Sequence, residues 1–279
     1  MTIDPLPCVS RVCVVARNTA REALRQRLFQ FIGLLGILLI CGIQGLRGLN
    51  FGTSELKFIA DFGFGAIAFF GSMLAIVATS QLFFSEIEHR TVLTLLARPI
   101  HRAEFVAGKF LGSLALSACF CALLTGLLMA VLWFRETALM RTTADAFDHG
   151  RAVDYVAVLG AGFAQWLKLA ILTALTSFVA SYARTQLFTT AAGFAILAVC
   201  HLQFMVQASA HSAAPVYLRS AVTALSVLFP NFQLFDFSES IAAGDGIAWF
   251  AIGRLTIFTA GYAIFTCSLA GIAFRRREF

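Results

Sequence analysis

Six long apolar runs, separated by short polar stretches, punctuate the chain and predict an all-α protein. They are Leu28–Leu46, Phe62–Phe84, Phe110–Phe134, Val156–Ser181, Leu187–Gln207 and Ile247–Phe274. Several exceed the roughly 20 apolar residues that a helix needs to cross about 30 Å of hydrocarbon. A further apolar stretch, Val216–Phe229, has only 14 residues between Pro215 and Pro230. It is too short to cross and reads as an interfacial or re-entrant element within the 208–246 segment. Ahead of the first run, residues 9–27 place Val9, Val12, Cys13, Ala16, Ala20, Ala23 and Leu24 at helical spacing, with Arg17, Arg21 and Arg25 on another face. Such a basic amphipathic helix lies along an anionic membrane surface, its arginines among lipid phosphates.

Composition strengthens the membrane assignment. With 59% hydrophobic and 13% charged residues, a water-soluble fold has too little polar surface to cover itself. The net charge of +6 does not point to nucleic acid, because Lys and Arg gather in alternate loops and at both ends. Six spans place both termini on one side, with 13 Lys and Arg there against six opposite, while Lys168 and Arg254 fall within spans. The positive-inside rule then makes the side of the termini cytoplasmic, in a multi-pass protein of a bacterial inner membrane. No small-residue cleavage site follows the first run, so no cleaved signal peptide is expected. A polar loop is expected from Arg135 to Tyr155, and a very short turn at Arg184. The seven cysteines lie mostly in apolar runs and form no disulfide framework.

One passage is densely charged. Ser85–Gly112 reads SEIEHRTVLTLLARPIHRAEFVAGKFLG and sits between the second and third runs. Ile87–Ala97 has helical potential that Pro99 ends. A short charged helix projecting from a membrane domain is a handle for a soluble partner; the plainer alternative is a solvated loop.

The order of these residues resembles the loop after the second span in permeases of the ABC-2 type, the membrane subunits of ATP-binding-cassette exporters. The matching features are the acidic pair Glu86 and Glu88, Arg90-Thr91, the Leu-Leu step, Arg98-Pro99, Arg102, Glu104-Phe105 and Gly108-Lys109. Arg90 stands where glycine is common in that family, and Thr94 where an acidic residue is frequent. The resemblance implies that residues 85–109 form a cytoplasmic coupling helix contacting a separate ATPase subunit. Weaker likenesses extend along the chain. ARNTAREALRQRLF (16–29) resembles the family's interface helix, LFPNFQLF (228–235) its Pro-Asn element before the last span, and FRRREF (274–279) the carboxy terminus of the copper-enzyme-maturation branch. With six spans the chain is half of a transport pathway, so the resemblance implies a second permease, identical or related, and two ATPase subunits.

No G-x-x-x-x-G-K-[ST] loop occurs, so ATP and Mg belong to the partner and the chain itself is not an enzyme. No H-E-x-x-H or G-x-S-x-G suggests intramembrane catalysis. No Cys/His cluster at ligand spacing supports a metal role, and Met is scarce. Lys168 lies near the middle of the fourth span, where a charge costs at least about 2.5 kcal/mol and must face protein or water. With Gln165 one turn away and His201 in the fifth span, it either lines a polar pathway or sits at a helix-packing seam. The aromatic stretch from Pro230 to Phe237 reads as an interfacial belt or a lid. Gly108 and Gly112 have the G-x-x-x-G spacing of closely packed helices. Two functions remain, an exporter permease and a non-transporting membrane anchor that docks a soluble partner; ATP-dependent movement of a substrate separates them.

Overall fold

In the basic amphipathic stretch, Val12, Ala16, Thr19 and Ala23 recur at three- and four-residue steps, and they fold as one inward face of helix α1, Cys8–Arg25. Thr19 and Ala23 are fully buried, while Arg17, Arg21 and Arg25 point outward. Gln26 leaves the helical region (φ −71°, ψ 134°), and α2, Arg27–Gly42, continues at a bend of 63°. The computed structural model describes residues 8–43, 45, 55–88, 102–142, 153–213, 229–237 and 249–275. The remaining helices are α3 (Glu55–Glu88), α4 (Arg102–Thr142), α5 (Tyr155–Tyr182), α6 (Gln186–Ala213) and α7 (Trp249–Arg275), with a 3-10 turn at Phe232–Phe235. No strand occurs among the described residues. Among the described residues five helices are long and apolar enough to cross a membrane, or six if the bent α1–α2 pair is one span.

The helices outrun the hydropathy. At 1.5 Å per residue, the 34 residues of α3 and the 41 of α4 extend about 50 and 60 Å, well beyond a hydrocarbon core of about 30 Å. α4 therefore starts at Arg102 rather than Phe110, and the polar passage expected as a loop from Arg135 remains helical to Thr142. Local bonds explain that extension: Thr137 Oγ1 donates to the Trp133 carbonyl at 2.7 Å, and no glycine or proline interrupts the turn. The short Val216–Phe229 element lies almost wholly outside the described residues.

α5 is the central helix. It packs against α3, α4, α6 and α7, and 21 of its 28 residues are buried. Small residues permit this: Gly162 lies against Thr125 of α4 and Gly71 of α3 against Leu169 of α5, each with no room for a Cβ, while Gly193 of α6 meets Ile76 of α3 as closely. Two of the α5 hydroxyls bond back along the helix, Thr176 to the Leu172 carbonyl and Ser177 to the Thr173 carbonyl, both at 2.8 Å. Asp154 caps its start by accepting from the backbone N–H groups of Val156 (2.9 Å) and Ala157 (3.3 Å).

At this same end two acids tie the helices together. The Arg135 guanidinium donates twice to the Glu55 carboxylate, at 2.5 and 2.7 Å, joining α4 to α3. Glu136, 1% exposed, accepts from the Tyr155 hydroxyl at 2.6 Å and from the Val153 backbone N–H at 3.1 Å. Glu136→Ala leaves both donors without this acceptor. It is expected to destabilise the fold by about 2–3 kcal/mol, read as an earlier thermal transition in detergent, with Glu136→Gln retaining most of the loss. An unchanged transition in Glu136→Ala refutes this role.

Candidate functional site

The charged passage emerges as two helical stems. Glu86 and Glu88 lie in the last turn of α3, and Arg102 opens α4. Arg90, Thr91, Arg98 and Pro99 fall in 89–101, outside the described residues. Glu104 and Lys109, read from the sequence as loop residues, are helical and turned inward, 7% and 0% exposed.

Both stems meet α1 at one side chain. Glu22 of α1 accepts from Ser85 Oγ at the end of α3, 3.2 Å away, and stands 4.0 Å from Lys109 Nζ at the start of α4. α1 lies unusually close to α4 here. A Cβ on Gly108 would stand 2.6 Å from the Val15 side chain, and one on Gly112 2.6 Å from Thr19 and 2.9 Å from the Ala16 carbonyl oxygen. The G-x-x-x-G spacing thus seats α1 on α4. Below it, Phe105 stacks on Phe274 of α7 (ring centroids 5.7 Å) and meets Phe83 of α3 edge-on at 6.4 Å. Glu22 escaped the sequence analysis because a single acid in an Arg-rich helix carries no periodic signal.

The second constellation is in the middle of the bundle. Lys168 of α5 is 5% exposed, and its Nζ lies 3.4 Å from His201 Nε2 on α6. His201 Nδ1 stands 3.1 Å from the Leu197 carbonyl. A carbonyl only accepts, so Nδ1 carries the proton and the Nε2 lone pair accepts from the Lys168 ammonium. Phe232, at the start of the 3-10 turn, sets its ring 5.5 Å from Nζ and meets the His201 ring edge-on at 5.7 Å. Asp236 ends that turn and is exposed, so an acid sits on the same short element that brings Phe232 to Lys168.

The sequence therefore identified the cation and its histidine but not the acid on the turn that covers them, because Asp236 lies outside every span. Gln165 is also buried on α5, 3% exposed, and its Oε1 meets no hydrogen-bond donor among the described residues. The Pro-Asn element is built by a local cap: Asn231 Oδ1 accepts from the Gln233 backbone N–H at 2.9 Å. Phe232 and Phe235 are buried against α5 and α6 instead of forming a surface belt.

Residues 13–269 match the model of a family described as ABC-2 family transporter protein. The chain belongs to the ABC-2 transporter family. No curated protein matches it. Members of the ABC-2 family are multi-pass membrane components of transport systems, generally not catalytic themselves, and the family generally implies an ABC ATPase as partner. The match carries the family and not its copper-enzyme-maturation branch. Among the described residues, no three His, Cys, Asp or Glu side chains gather as a metal site in this ABC-2 chain.

Proposed function

We propose that this chain is the permease subunit of an ATP-binding-cassette exporter, forming the transmembrane pathway with a second permease and driven by a separate ATPase subunit. The observation that supports this best is Glu22, which contacts both stems of the charged passage from a third helix. A force applied to residues 89–101 then reaches α1, α3 and α4 together. In this reading Glu86, Glu88, Arg90, Thr91, Arg98, Pro99 and Arg102 belong to the docking side. Glu104 and Lys109, being buried, belong to the joint beneath it. Both termini face the cytoplasm of a bacterial cell, ATP and Mg are held by the partner, and Gln165, Lys168 and His201 line the pathway. The likeness of residues 274–279 to the copper-enzyme branch gives no substrate and is not carried into this proposal.

Purification in detergent with the ATPase encoded beside the gene tests the proposal. The native chain is expected to retain the ATPase and to show substrate-stimulated hydrolysis. Charge reversal at both ends of the passage, Glu86→Arg with Arg98→Glu, is expected to abolish both. An ATPase that binds native and reversed chains equally, or that binds neither, overturns the proposal and leaves a membrane anchor.

A further inference from the structure

The mid-bundle cation has the features of a binding site, an inference that rests on the permease reading above. An ammonium carries three protons. One is directed at His201 Nε2 and the Phe232 ring covers another side, both through weak contacts at 3.4 and 5.5 Å. The acid on the element that covers it is Asp236, exposed at the end of the four-residue turn that sets the Phe232 ring 5.5 Å from Nζ, whereas Lys168 is buried. Gln165, one helical turn from Lys168, keeps a buried oxygen without a donor among the described residues.

A buried ammonium is stable only when paired. A counter-ion standing at the rim is one that an incoming anion can replace.

The direction of approach narrows the ligand. His201 is exposed, and its neighbour Leu202 is 53% exposed, both at mid-length of α6, whose membrane-spanning window is only 22% buried. The side of the Lys168–His201 pair left uncovered is therefore the outer, apolar face of α6, and a ligand that reaches it through hydrocarbon needs an apolar body to dissolve. The surrounding wall includes Leu167, Ile171, Phe232, Phe235 and Tyr262.

We propose that Lys168 binds the anionic head of an amphiphile, a phosphate or carboxylate on an apolar body, and that this head takes the place of Asp236 at the ammonium. His201, already protonated at Nδ1, fixes the ammonium's direction. Phe232 closes over the site from the 229–237 segment, so filling the site and loosening that segment are one event.

Equilibrium binding of radiolabelled dodecyl phosphate to the full chain in phosphatidylcholine nanodiscs tests this. Saturable binding is expected, weakened about tenfold to a hundredfold in Lys168→Gln, as for loss of a charge-assisted hydrogen bond. Lys168→Arg, which keeps the charge, is expected to stay within about tenfold of the native chain. Asp236→Asn is expected to tighten binding, because the competing carboxylate is gone.

Inorganic phosphate, lacking the apolar body, is expected not to compete. Competition by phosphatidylglycerol in the disc assigns the head group to a membrane lipid, and its absence assigns it to a free amphiphile. The proposal is overturned if Lys168→Gln binds as well as the native chain, if Asp236→Asn weakens binding, if inorganic phosphate competes equally, or if dodecyltrimethylammonium binds with the same dependence on Lys168. Should Lys168→Gln fail to fold, Lys168→Arg and Asp236→Asn still decide. No ATPase enters the assay, so failure here with ATPase coupling intact removes this site and leaves the permease reading standing.

Discussion

Gly112→Leu is expected to unseat the interface helix. Even a lone Cβ at this position would stand 2.6 Å from Thr19 Cβ and 2.9 Å from the Ala16 carbonyl oxygen. The second contact is with backbone, which cannot rotate out of the way, so α1 and α4 must separate. Overpacking of a close interface costs about 1–3 kcal/mol, and here that cost falls on one helix pair. The fold of α3–α7 is expected to survive while the inner face of α1 becomes accessible, seen as rapid alkylation of a cysteine placed at Ala23, which is fully buried in the native chain, and as protease cleavage near Gln26. Gly112→Ala is expected to show a smaller version of the same effect, and Gly126→Leu, which faces open space, none. Equal protease resistance of Gly112→Leu and the native chain would sink the idea that these glycines seat α1.

Glu22→Lys is expected to break the transmission of force without dissociating the partner. Two unit charges 4.0 Å apart interact by about 4 kcal/mol at an effective dielectric of about 20. Because Glu22 is partly exposed, a measured coupling nearer 1 kcal/mol is expected. Reversal turns that attraction into repulsion and removes the acceptor of the Ser85 hydroxyl. The ATPase is expected still to co-purify, since Glu22 lies on α1 and not in residues 85–109, but substrate-stimulated hydrolysis is expected to fall at least about tenfold, as for 1.4 kcal/mol or more. Combining Glu22→Lys with Lys109→Glu is expected to restore part of it. Stimulation at the native level in Glu22→Lys, or a double variant no better than the single one, contradicts the role assigned to this carboxylate.

What could be read from the sequence depended on how far each signal travels. The cores of the spans were legible because a lipid-facing helix must be apolar for its whole crossing. Their ends were not, since a helix continues wherever nothing breaks it; Arg102–Lys109 and Arg135–Thr142 are charged yet contain no proline and only Gly108.

The approach of His201 to Lys168 was foreseeable, because the two stand at similar distances from the short turn between α5 and α6 and so at similar depth. Glu22 and Asp236 were not. Their importance arises from which helices come to lie beside them, information that neither residue's own neighbourhood carries. The same holds for Phe232 and Phe235, whose aromatic character suits a water boundary and a buried wedge equally.

The encasement of α5 bears on how the protein responds to the membrane around it. In a single chain, the membrane-spanning window of α5 is 78% buried, against 22% for α6 and 28% for α7. Bilayer thickness acts only on surfaces that lipid touches, by tilting or stretching them at a modest cost per ångström. A change from thin to thick lipid therefore acts on α6 and α7 before it acts on α5, an axle that lipid barely reaches. Since Lys168 sits on the axle and His201 on one of the outer helices, their contact at 3.4 Å joins the part of the chain that lipid touches to the part it barely reaches.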